Sequence, residues 1–173
     1  MKKIEKPGED EYAPYTIMYI GLLPDDGLVL QHLQNNLQAT IDFILSLPEE
    51  KLSICPAAGK WTIKEILVHI IDDERIYAYR ALRFARGDST ELPGFEQDVY
   101  ALESIANERA ITDILDELRT VRAATISLFN NFDRKVFTRK GIADRNVMSV
   151  RAIAYHIAGH ELHHINIIEN RYL

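Results

Sequence analysis

The sequence predicts an all-α protein built as a four-helix bundle. Three observations carry that expectation. Four segments of roughly 22–25 residues place apolar side chains at alternating gaps of three and four, the spacing of one helix face. No stretch alternates apolar and polar residues at period two between turn signals, so no strand is expected. Glycine and proline are sparse, 8 and 6, and fall mostly between the periodic segments. A chain of 173 residues, 47% hydrophobic and 27% charged, has enough apolar side chain for one full core and too little length for two comfortable domains.

Residues 1–24 read as an irregular lead-in, its tyrosines (Tyr12, Tyr15, Tyr19) packing over the surface of a bundle formed by residues 25–173. The first helix spans about Asp26 to Leu47 with Leu30, Leu33, Leu37, Ile41 and Ile44 on its face, and Pro48 stops it. The second starts sharply. Thr62 with Glu65 three residues on is a capping box, and Trp61 with Ile66 suits a hydrophobic staple. This helix runs to Arg86 before Gly87, with Arg80, Arg83 and Arg86 expected as a solvated face matched to the negative end of the dipole. The third covers about Arg109 to Phe132, and the fourth follows a cap at Ser149 nearly to the C-terminus.

Charge and composition remove several function classes. Acidic residues outnumber basic ones 26 to 20, for a net charge of −6, and no Lys/Arg cluster offers the phosphate contacts that nucleic acid requires. The lone Cys55 excludes an intrachain disulfide and a thiolate-rich zinc site. No signal-peptide run and no apolar stretch near 18–20 residues is present, so a cytoplasmic protein without membrane contact is expected.

The chemistry points to the fourth helix. Its seam reads Val150, Ile153, Ile157, His160, His164, Ile167, Arg171, with two histidines where aliphatic residues would be ordinary. A buried imidazole needs a partner, and a pair at i and i+4 can reach one metal ion. His69 lies on an inward stripe of the second helix (Ile66, His69, Asp73, Ile76), and the bland reading of any one such histidine is a core residue bonded to a backbone carbonyl. Three on two core stripes favour a shared metal site. His156 and His163 fall one step off the seam. At ~1.5 Å per residue, His69 lies about 10 Å from Thr62, and His164 and His160 lie about 10 and 16 Å from Arg171. The three come level if the second and fourth helices are antiparallel, which an up-down-down-up order with a long crossover over Gly87–Glu108 provides. His160-Glu161-Leu162-His163-His164 also fits the H-E-x-x-H peptidase pattern, but only nine residues follow and none is a histidine. Glu161 is expected at the helix surface or beside a ligand, with a base role open.

Two stretches, Trp61–Glu74 and Gly159-His160-Glu161-Leu162-His163-His164, resemble the signature helices of the DinB-like (DinB/YfiT) superfamily. Arg80–Gly87 and Leu92-Pro93-Gly94-Phe95 resemble one bacterial branch of it, and the likeness extends from about Pro24 to Leu173. The resemblance implies an up-down-down-up bundle holding a divalent metal, zinc or nickel, on His69, His160 and His164. It implies an acidic residue orienting an imidazole, matched by position to Asp72, although Asp73 faces the stripe better. His163 matches a family position that is normally not a ligand. The family's thiol-dependent transferases and metal-dependent hydrolases imply an enzyme acting on a small molecule, a low-molecular-weight thiol or its adduct among the candidates, and a homodimer. The alternative is a metal-binding or stress-response bundle without turnover.

Overall fold

Six α-helices, five short 3-10 helices and one hairpin are the regular elements of the chain in a computed structural model that describes all residues 1–173. The four long helices are α2 (Val29–Ser46), α3 (Ile63–Ala85), α5 (Ile111–Asn131) and α6 (Val150–Arg171). Two short ones are α1 (Ile17–Ile20), which lies in the lead-in, and α4 (Gln97–Glu103), in the crossover between α3 and α5.

Caps fix where the site-bearing helices begin. Thr62 Oγ1 accepts from the Glu65 N–H at 3.1 Å, and Glu65 Oε2 accepts from the Thr62 N–H at 2.7 Å, completing the expected capping box. At α6, Ser149 Oγ accepts from the Ala152 N–H at 3.1 Å.

Helix directions follow from the bonds between them. Thr62 reaches Asn107 at 2.8 Å and Lys64 Nζ donates to the Arg109 carbonyl at 2.8 Å, so α3 and α5 start at the same end. Tyr172 donates to the Trp61 carbonyl at 2.7 Å, which brings the end of α6 to the start of α3. Asn36 bonds the Ala158 carbonyl and Thr40 bonds Glu161, pairs that advance together, so α2 runs with α6. The order is up-down-down-up, with α2 and α3 each packed on both α5 and α6.

The core has two parts. One apolar cluster of 25 buried residues joins the lead-in, the C-terminal half of α3 and the start of α6. A second, of 15, joins the end of α2, the first half of α3, α5 and Ile168. Between them runs a layer of buried polar groups that includes Asp73, Glu74, Arg122, His156, His160 and Glu161.

Three sequence expectations are corrected. The lead-in is partly helical, and α1 crosses α6 where a Cβ on Gly159 would stand 2.2 Å from the Tyr19 carbonyl oxygen. A hairpin is present: β1 (Lys140–Ala143) pairs antiparallel with β2 (Asn146–Ser149). Its strands have four residues each and no regular in–out alternation, and its turn is Asp144–Arg145, both at positive φ (49° and 62°), where Asn-Gly would have signalled it. Finally, Arg80 is buried rather than solvated, because the segment around Pro93, docked on the hairpin through Leu92, covers it.

Candidate metal centre

His69 sits two turns into α3, and His160 and His164 stand one turn apart on α6. The antiparallel pairing brings the three rings to one point. His69 Nε2 and His164 Nε2 each lie 3.1 Å from His160 Nε2, and one ligand atom from each residue falls within 4.8 Å of the others. Two nitrogens bound to one ion at ~2.0–2.1 Å in tetrahedral geometry stand about 3.3 Å apart, so the spacing fits a shared ion.

Protonation state supports the same use. Burial lowers the pKa of His69, drives that of His160 far down and pushes that of His164 to about 3. The three imidazoles are therefore neutral near pH 7, the form that ligates. His160 Nδ1 lies 3.4 Å from Asp73 Oδ2, so its proton faces a carboxylate and its Nε2 lone pair faces the cluster. A donor set of three converging, neutral imidazole nitrogens suits a divalent transition-metal ion.

Asp73 is the acidic partner, and Asp72 is not. Asp73 is buried beneath His160 and also bonds His156 Nε2 at 3.2 Å. Burial would raise its carboxyl, but the facing imidazoles of His160, His156 and His69 hold it below the ordinary carboxylate range. Asp72 is half-buried and faces Arg75 at 3.9 Å.

Glu161 contradicts both its expected placements. It is fully buried on the far side of α6, where Thr40 Oγ1 donates to it at 2.9 Å and Arg122 pairs with it at 2.9 Å. It cannot serve as the base of an H-E-x-x-H peptidase. His163 is half-buried against Tyr19, with ring centroids 5.2 Å apart, and stays outside the cluster.

His156 is the residue the seam argument missed. Its ring stacks on Tyr77 at 3.8 Å, its Nε2 holds Asp73, and its Nδ1 is buried with no hydrogen-bond partner. The signal lay in the row His156, His160, His164 at steps of four, which shares one helix stripe. Tyr19 packs edge-on against His156 and His160 and roofs the row.

Two pockets flank the centre. One, of about 180 Å³, is bounded by His160, Asp73, His156, Tyr77 and Arg80. The other, of about 240 Å³, is bounded by His164, Trp61, Asp98 and Arg171. Trp61 also packs on the His69 ring at 4.8 Å.

A helical bundle with three histidines from two antiparallel helices converging between open pockets defines a class of candidate metal-binding bundles. Residues 32–168 match the model of the DinB superfamily, and the chain belongs to that family. It is 29% identical over 133 residues, 76% of this chain and 74% of the other, to an Oceanobacillus iheyensis protein named "Putative metal-dependent hydrolase OB0413". Its fold is similar to that of YfiT from Bacillus subtilis, described as a probable metal-dependent hydrolase with an unusual four-helix bundle topology. That likeness has a TM-score of 0.63 and 13% identity, and covers 98% of this chain and 92% of YfiT.

Proposed function

We propose that the chain is a metal-dependent enzyme of hydrolase or thiol-transferase type, acting on a small molecule with a divalent ion held by His69, His160 and His164. The observation that carries this reading is the convergence of three neutral imidazole nitrogens between two pockets. Three protein ligands with an open side are the layout of catalytic rather than closed structural sites. The name of the Oceanobacillus relative supports the hydrolase form.

When bound, zinc or nickel there would supply a Lewis acid that lowers the pKa of water or of a low-molecular-weight thiol. The protein's own residues do the rest. Asp73 fixes the His160 tautomer, His156 holds Asp73 in place, and Tyr19, Tyr77 and Trp61 pack against the rings of His160, His156 and His69 in turn.

Elemental analysis of purified protein tests the site. One ion per chain is expected, with His69→Ala, His160→Ala and His164→Ala each largely abolishing it and His32→Ala retaining it. His32 pairs with Asp26 at the start of α2, outside the cluster, and serves as the control. Full metal content in His160→Ala would sink the assignment. A screen of ester and amide hydrolysis beside thiol conjugation, with and without metal, separates the two reaction types, and no turnover in any would leave a binding bundle. A homodimer is part of the same proposal, and sedimentation showing only particles of single-chain mass would remove it.

A further inference from the structure

Two arginines are buried in this protein, and they are treated differently. Arg122 is fully buried and meets Glu74 at 2.8 Å and Glu161 at 2.9 Å. Arg80 is 6% exposed and pairs with no carboxylate. Its single hydrogen bond runs from one terminal nitrogen to the Pro93 carbonyl at 3.0 Å, and its guanidinium carbon stands 4.7 Å from the Tyr77 ring. A guanidinium carries five N–H donors, and a buried charge without a counterion is costly. A fold that keeps one beside a pocket has a use for it.

The pocket is the one that reaches His160. Arg80 forms part of its wall together with the amides of Gln97 and Asn146 and the rings of Tyr77 and Phe95. Its lining also includes Asp144 of the hairpin turn. We propose that this pocket binds the carboxylate of an acidic small-molecule substrate through Arg80, placing the rest of that molecule against the histidine centre. The proposal deepens the enzyme reading above and rests on it for the word substrate.

Charge count selects carboxylate over phosphate. Asp73 and Asp144 line the same pocket, so a dianion would meet two negative side chains against one guanidinium. A monoanion meets half that repulsion, and a planar carboxylate suits the fork of an arginine.

The test is a calorimetric titration of the zinc-loaded full chain with benzoate, benzamide and phenyl phosphate, in wild type and Arg80→Met, with zinc content read on every sample. Benzoate is expected to bind at least tenfold tighter than benzamide. Arg80→Met should bring benzoate down to the benzamide level while zinc stays at one per chain. Benzoate binding that survives Arg80→Met would place the carboxylate elsewhere and overturn the proposal. So would benzoate no tighter than benzamide, or phenyl phosphate tighter than benzoate. Should Arg80→Met fail to fold, the Arg80 Nε–H resonance of the wild type decides: it must move with benzoate and not with benzamide, and a still resonance overturns the proposal. Arg80-dependent benzoate binding in protein that takes up no zinc would uphold the pocket and sink the metal reading, so the two fail separately.

Discussion

Asp73 supports the centre from beneath, because it meets two imidazoles, those of His156 and His160, from a buried position. Its carboxylate orients His160, and losing such a partner typically costs 10–100-fold in metal affinity. Asp73→Asn is therefore expected to weaken zinc binding by roughly 10–100-fold, read by competition with a chromophoric chelator, while Asp72→Asn leaves it unchanged. Equal effects from the two would remove the orienting role. The three converging histidines were legible in the sequence because imidazoles interrupted apolar stripes on two helices. The choice between Asp72 and Asp73 was harder, since adjacent positions on a helix differ by only 100° and the family pattern favoured the outer one. His156 was hidden because α6 is buried nearly all round from Val150 to Glu161, so a residue off one seam still lies inside. No single stripe describes such a helix.

Between elements, the pairing that holds the bundle's middle is the Glu74–Arg122–Glu161 layer joining α3, α5 and α6, with Arg122 also donating to the Leu33 carbonyl of α2. Two carboxylates share one guanidinium there, and burial pushes the Glu161 carboxyl above its ordinary value. A raised pKa means that the stability linked to a protonated Glu161 is full below the unfolded value and is lost as pH rises through the folded one. Its ionised form is thus a burden on the fold. Glu161→Gln, which keeps an acceptor for Thr40, is expected to be neutral or stabilising. Arg122→Ala, which strands both carboxylates, should cost about 3–5 kcal/mol. Urea titration at pH 7 checks both, and a strongly destabilised Glu161→Gln would refute the account. The four long helices were readable from period and caps, and the depth of the histidines along them fixed the antiparallel relation of α3 and α6. The hairpin was not readable. Strands of four residues give too few alternations to see, and Gly141 is there because a Cβ would stand 2.0 Å from the Phe84 ring, a contact made across the fold.

For the whole molecule, the question is how far the fold depends on the ion. The apolar clusters of 25 and 15 residues lie on either side of the polar layer and are built without the histidine trio. The bundle should therefore fold without metal, unlike a zinc finger, whose folding energy is the binding energy. An ion bound by the three histidines would nevertheless clip α3 to α6 and stabilise the native state by mass action. Chelation is expected to lower the melting temperature by several degrees, at roughly 2–4 °C per kcal/mol for a chain of this size, with far-UV helix content at 25 °C intact. Acid should act in the same direction and further. The folded pKa values of His69, His160 and His164 lie below the ordinary value of about 6.5, with that of His164 at about 3. The unfolded chain thus binds these protons first. The stability linked to them is full above about pH 6.5 and is lost as pH falls from there towards about 3. Protons also compete with the ion for the same nitrogens, so metal release should begin in the same window and precede unfolding. Melting curves of metal-loaded and metal-free protein should then converge as the pH is lowered from 7 to 5. Curves that stayed apart by a constant interval would show that the ion is held by groups other than these imidazoles, and loss of helix on chelation at pH 7 would make the ion structural.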